Sequence, residues 1–248
     1  VCRVVTDICW PRGEPFVDAP ENLTPPHFQD ELAHLKARLL VMAGAAEEQV
    51  RDAMRALVDR DHAIAERVLT GDGVINQLHI EVDERCFQLL ALHQPLATDL
   101  RVVVSAVKIN SDLERIGDFA INIGEATLRY LESPVVKPLI DIPRMADIAQ
   151  GMLRDALDAY VRQDTVLAQS VLDRDDSLDE LKDLVFRDLL GLMCTDNVVT
   201  QPALDLLLVS RHLERIGDHA TNIAEEAIFI VSGLDVRHHG RDGGVSDA

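Results

Sequence analysis

Aromatic residues are scarce in this chain: Phe, Trp and Tyr make up 4% of its 248 residues, although 47% are hydrophobic. A core must then be filled mainly by Ala and Leu, a composition that points to helices. Basic residues are also outnumbered, 24 Lys and Arg against 43 Asp and Glu, which leaves a net charge of −19. Such a surface repels nucleic acid and the anionic headgroups of a membrane, and attracts cations. No run approaches the roughly 18 apolar residues of a membrane span, and the opening "VCRVVTDICWPRGEP" lacks the continuous apolar segment of a signal peptide. The four cysteines, Cys2, Cys9, Cys86 and Cys194, have no metal-ligand spacing. Cys86 and Cys194 sit in helical apolar patterns and read as buried free thiols, which suits a reducing cytosol. There is no Gly-rich phosphate loop, no CxxC and no Ser-His-Asp set, so no nucleophile is presented with its base. The expectation is a soluble, cytoplasmic protein.

What the chain does have is helical period almost throughout. Residues 1–24 contain Pro11, Pro15 and Pro20 without periodicity and are read as a disordered leader, or an artefact of an upstream start; the Gly- and His-containing residues 233–248 are read as a disordered tail. Between them, Phe28 to Asp59 places Leu32, Leu35, Leu39, Met42, Ala46, Val50, Met54 and Leu57 on one face, which predicts a long amphipathic helix. Asp61 supplies an N-cap for a second helix to about His93, and a third runs from about Asp99 to Leu131. The prolines of "ESPVVKPLIDIP" then break the pattern, with a linker at 133–140. The pattern starts again: Asp141 caps a helix to about Arg162, Asp164 caps one to about Met193, and a third runs from Gln201 to near Gly233. "DHAIAERVLTGDGVINQL" from Asp61 aligns with "DTVLAQSVLDRDDSLDEL" from Asp164. The fold expected is all-α, with two tandem three-helix bundles at 25–132 and 141–232.

The duplication carries a chemical pattern. "LERIGD" stands at Leu113–Asp118 and again at Leu213–Asp218. At about 100° per residue, Glu114, Asp118, Asn122 and Glu125 form one stripe, opposite Leu113, Ile116, Phe119, Ala120 and Ile123. Glu214, Asp218, Asn222 and Glu225 repeat it. Acids four apart repel by roughly 0.2–0.5 kcal/mol, and Gly117 and Gly217 each cost about 1 kcal/mol within a helix. They lie on the stripe's flank, where a missing side chain lets another group approach. The second helix of each half adds a row, Asp72 and Asn76 with His79 and Asp83 beyond them, then Asp175 and Asp179 followed by Lys182 and Phe186. A solvated acidic face explains one such stripe; its repetition in register suggests a bound cation. Oxygen-rich, sulfur-free donors favour Mg, Ca, Mn or Fe over structural Zn; His79 could admit Fe or Zn in the first half only, but reads first as a solvated helix histidine. Arg115 and Arg215 read as local charge balance. The lone Glu31-x-x-His34 pair falls short of a di-iron bundle, which needs that pair twice plus two more acids.

Three stretches carry a family resemblance: "QPLATDLR" at Gln94–Arg101, "LERIGDFAINI" at Leu113–Ile123 and "RHLERIGDHATNIAE" at Arg211–Glu225. Over about residues 27–232 the chain resembles the PhoU family of regulators that accompany bacterial phosphate-specific transport. The resemblance implies two three-helix bundles, often dimeric, with surface metal ions. Carried over, the ligands would be Asp72, Asn76, Glu114, Asp118 and Asn122 in one half, and Asp175, Asp179, Glu214, Asp218 and Asn222 in the other, holding divalent or trivalent ions such as Fe, Mn, Mg or Zn. It further implies a non-catalytic adaptor that binds the phosphate transporter's ATP-binding subunit and a phosphate sensor histidine kinase, and holds the starvation response down. Two other readings stand beside it: a metalloenzyme using carboxylate-bound ions, and a scaffold whose acids are merely solvated.

Overall fold

The computed structural model describes residues 26–136, 139–195 and 197–234. The expected leader, most of the expected tail, and Lys137 and Pro138 of the expected linker lie outside these residues. Helices α1 (Pro26–Asp59), α2 (His62–Thr70), α3 (Asp72–His93) and α4 (Ala97–Leu131) make the first half; α5 (Asp141–Arg162), α6 (Thr165–Thr195) and α7 (Thr200–Ser232) make the second. No strand occurs among the described residues. The fold is all-α, two three-helix bundles in tandem, with α2 and α3 together standing where α6 stands.

Local chemistry repeats between the halves. Arg60 and Gln163 end α1 and α5 with the same left-handed φ of 55°. The next amide reaches back five residues in each case, Asp61 to the Ala56 carbonyl and Asp164 to the Ala159 carbonyl, both at 3.0 Å. This is the turn that closes a helix on its orphan carbonyls. Each Asp then opens the following helix: Asp61 accepts from the Ile64 amide, and Asp164 from those of Val166 and Leu167. Asp141 does not behave this way. It is the first residue of α5, Ile140 holds the cap position without a side-chain bond, and Asp141 lies 3.5 Å from Arg144 instead.

The second helix, expected in one piece, is broken at Gly71. Gly71 and Gly73 lower helix propensity around Asp72, and the Gly71 amide bonds to Val68 O three residues back. Gln49 of α1 donates to the same carbonyl. Where the second half has a short 3₁₀ turn, Asn197–Val199, after α6, the first half makes the connection "QPL", with Gln94 left-handed. Cys86 is buried, and burial pushes its thiol up to about 12; Cys194 is exposed, contrary to the expected burial of both.

The halves meet chiefly through α4 and α7, which run antiparallel: Arg101 reaches the Ile230 carbonyl, Ser105 and Lys108 reach Glu226, Phe119 stacks on His212, and Arg129 reaches Asp205. The core, mostly Ala, Leu, Ile and Val with Phe28, Tyr130, Tyr160, Cys86 and several Met among them, is continuous across this seam.

Candidate metal centre

The two LERIGD copies are placed alike. Leu113, Ile116, Gly117 and Ala120 are buried, and so are Leu213, Ile216, Gly217 and Ala220. Glu114, Asp118, Asn122, Glu214, Asp218 and Asn222 are all half-buried, on the margin between core and solvent. Phe119, expected on the core face, is half-buried because it turns to the seam, where its ring lies 5.7 Å from His212 and 5.5 Å from His219. Arg115 lies 3.5 Å from Asp118 and Arg215 lies 3.4 Å from Asp218, the local charge balance expected of them.

The repeated glycines admit a neighbouring helix. A Cβ on Gly117 would stand 2.8 Å from Ile75 Cδ1, and one on Gly217 would overlap Leu178 Cδ2. Ile75 and Leu178 are equivalent residues of α3 and α6, both buried. The group that comes nearest each glycine is therefore an apolar side chain of the neighbouring helix, and the missing Cβ brings the two carboxylate-bearing helices together.

In the second half this closeness has an electrostatic consequence. Asp175 of α6 is pushed up to about 6, first by burial and then by Asp218, Asp179, Asp176 and Glu214. Asp218 of α7 is raised as well, by burial and then by Glu214. Like charges from both helices thus disfavour each other's ionised form. Besides Arg215, which lies beside Asp218, a lysine answers the row from the neighbouring helix. Lys182 Nζ donates to Asp179 Oδ1 at 3.0 Å and to Glu214 Oε1 at 3.2 Å, bridging α6 and α7. Beside the bridge is a cleft of about 810 Å³ lined by residues that include Lys182, Phe186, Leu208 and Glu214. Asn222, expected in this row, donates to Asp112 Oδ1 at 3.3 Å, and His219 Nδ1 lies 2.7 Å from the same oxygen. Its amide is engaged at the seam, and only its carbonyl oxygen faces other uses.

The first half is arranged differently. The Asp72 side chain lies outside the described residues. Asn76 is half-buried on α3, and the cations near Glu114 and Asp118 come from Arg115 on their own helix, at 3.7 and 3.5 Å. His79 and Asp83 belong to packing: buried Asn110 of α4 donates to Asp83 Oδ1 and to the His79 carbonyl, both at 2.9 Å, and His79 Nε2 sits 3.6 Å from Asp83.

The donors suit a hard cation, since carboxylate and amide oxygens on paired helices are what Mg, Mn and Fe take. Among the described residues, however, no three of His, Cys, Asp and Glu converge closely enough to hold a metal ion as the side chains stand. The donor chemistry suits an ion, and the side chains as placed do not enclose one. The sequence shows Lys182 only as the residue that follows the second acid pair, with no sign that it spans the row. Sequence reasoning also missed Asp112, Asp205 and Glu226 at the seam, whose signal was acids within an apolar helical face.

A family described as PhoU domain matches residues 39–127 and 142–227, one match per half. The phosphate-specific transport system accessory protein PhoU homolog of Caulobacter vibrioides (strain NA1000 / CB15N) is 43% identical over 210 residues, 84% of this chain and 91% of that protein. That of Pseudomonas aeruginosa is 40% identical over 216 residues, 86% and 88% of the two chains. The crystal structure of PhoU from Pseudomonas aeruginosa matches with a TM-score of 0.80 at 38% identity, covering 84% of this chain and all of that one (100%). The phosphate transport system regulatory protein PhoU from Streptococcus pneumoniae matches with a TM-score of 0.79 at 30% identity, covering 84% and 99%.

Proposed function

This chain belongs to the PhoU domain family, and on that premise we propose that it is a metal-binding adaptor regulating phosphate-specific transport. It acts without catalysis. It couples the transporter's ATP-binding subunit to a phosphate sensor histidine kinase and holds kinase output down when phosphate is plentiful, in the cytoplasm and as a homodimer. No helix among the described residues is long and apolar enough to cross a membrane, so contact with a membrane complex runs through those partners. The naming of its relatives as transport accessory and regulatory proteins supports an adaptor over a metalloenzyme.

The observation that carries the reading is the carboxylate row written twice, on helices drawn together at Gly117 and Gly217, in a chain that follows PhoU proteins through both halves. The ligands are Asp72, Asn76, Glu114, Asp118 and Asn122 in the first half, and Asp175, Asp179, Glu214 and Asp218 with the Asn222 carbonyl in the second. A bound ion supplies positive charge that relieves repulsion along the rows. The carboxylates close around it, so that ion and helix pair are stabilised together.

Deleting the gene in its host should switch on phosphate-scavenging genes in phosphate-rich medium. Wild type should restore repression, while Asp118→Ala with Asp218→Ala should restore it poorly. Unchanged expression after deletion would count decisively against the adaptor role.

A further inference from the structure

The internal duplication makes each half a control for the other, and the two differ in one uncovered apolar surface. Phe186 of α6 and Leu204 and Leu208 of α7 are 50%, 43% and 39% exposed, and all three line the cleft of about 810 Å³ beside the Lys182 bridge. Large apolar residues gathered on a surface mark a place where something docks. The fold itself does not require them there. The aligned residues of the first half are Asp83, Val104 and Lys108, and the two polar ones are satisfied within the chain, Asp83 by Asn110 and Lys108 by Glu226.

Charge narrows what can cover the cleft. On a chain of net charge −19 this surface is balanced, since Arg129, Lys182 and Arg211 line it together with Asp183, Asp205 and Glu214. Arg129 is paired with Asp205, and Lys182 with Glu214. Arg211 on α7 and Asp183 on α6 form no ion pair among the described residues. One unpaired cation and one unpaired anion on the two helices, with apolar residues beside them, make a surface complementary to itself, as a two-fold contact requires.

We propose that a second copy of this chain docks in the cleft, about a two-fold axis laid along it, so that α7 of each subunit covers α6 of the other. This rests on the homodimer reading above and names its contact face. The register follows from the contacts within one subunit: α6 and α7 run antiparallel, with Leu178 against Gly217 and Lys182 against Glu214. At about 1.5 Å per residue, Leu208 lies about 9 Å beyond Glu214 and Phe186 about 6 Å beyond Lys182, in the same direction. An axis along the cleft preserves these levels, so Leu208 meets Phe186 of the partner subunit. Arg211 falls within about 3 Å, along the axis, of the level of the partner's Asp183, a gap its long side chain spans. Each contact is made twice, and two acidic chains approach where neither presents excess charge.

Analytical ultracentrifugation of the full chain tests this. Wild type should sediment as a dimer, and Phe186→Glu with Leu208→Glu as a monomer. Arg211→Asp sets acid against acid at both ends of the contact and should weaken the dimer by about tenfold or more. Adding Asp183→Arg to Arg211→Asp should restore wild-type association, a rescue that keeps the test decisive if the glutamate variants fold poorly. A dimer that persists unchanged in Arg211→Asp and in the glutamate pair overturns this face and leaves the homodimer reading intact, as does a charge swap that fails to restore association. A monomeric wild type overturns the homodimer reading and the proposal with it, and leaves the cleft to a different protein.

Discussion

Asp175 concentrates the electrostatic cost of the second row. Its carboxyl is pushed up to about 6 by burial and by the acids around it, against about 3.9 for a free Asp. Between those values the unfolded chain has released this proton while the folded chain keeps it. By linkage, stability then falls as pH rises from about 4 to about 6, and the cost persists above that window unless a cation relieves it. The raised Asp218 acts in the same direction. In chelator, Asp175→Asn should melt higher than wild type at pH 7, by roughly 2–4 °C for about 1 kcal/mol left after screening. The difference should shrink by pH 5 and shrink also when Mn²⁺ is added to wild type. Thermal melts at the two pH values check this, and a variant that melts lower than wild type at pH 7 contradicts it. The sequence could place Asp175, Asp179, Glu214 and Asp218 on facing rows because helical spacing alone does so. It could not say that Lys182 would reach across, since that depends on how closely the helices approach.

That approach is a property of helix pairs, and it turns on Gly117 and Gly217. An isolated helical glycine gains about 1 kcal/mol when replaced by Ala. Here the added methyl would overlap Leu178 at Gly217, and forcing extra volume into a filled core costs about 1–3 kcal/mol. Gly217→Ala should therefore lower the urea midpoint, with a net loss of about 1 kcal/mol. Because the two residues touch, Gly217→Ala with Leu178→Val should lose less than the two single changes added together. A higher midpoint for Gly217→Ala alone would show that α6 does not need the glycine. Helix order and most ends could be read from periodicity and breakers, and the one extra helix comes from the break at Gly71; Asp61 and Asp164 cap as their type and position demand. Asp141 failed because Asp also serves in the first turn beside the helix dipole, and sequence does not separate the two uses. The break at Gly71 was foreshadowed by its glycines, whereas the support Gln49 gives to Val68 O depends on the packing of α1.

Across the molecule, the duplicated halves are joined by an antiparallel α4–α7 seam that is polar at chosen points. Asp205 is 1% exposed and Glu226 is 4% exposed, burials that are costly unless the charges are paired. Each has its partner: Arg129 at 2.9 Å for Asp205, and Ser105 and Lys108 at 2.7 Å for Glu226. Asp112 receives His219 and Asn222, so the seam begins one helical face away from the second carboxylate row. Asp218 stands on α7, the helix that holds the halves together across this seam. The repeat announced two bundles, but pairing across the seam brings together residues about a hundred positions apart, beyond what local spacing encodes. Metal content of protein purified without chelator, wild type against Asp118→Ala with Asp218→Ala, reads the central claim most directly. Wild type should carry tightly held metal and the double variant should lose most of it; equal metal in the two proteins, or none in either, would contradict an ion-dependent adaptor.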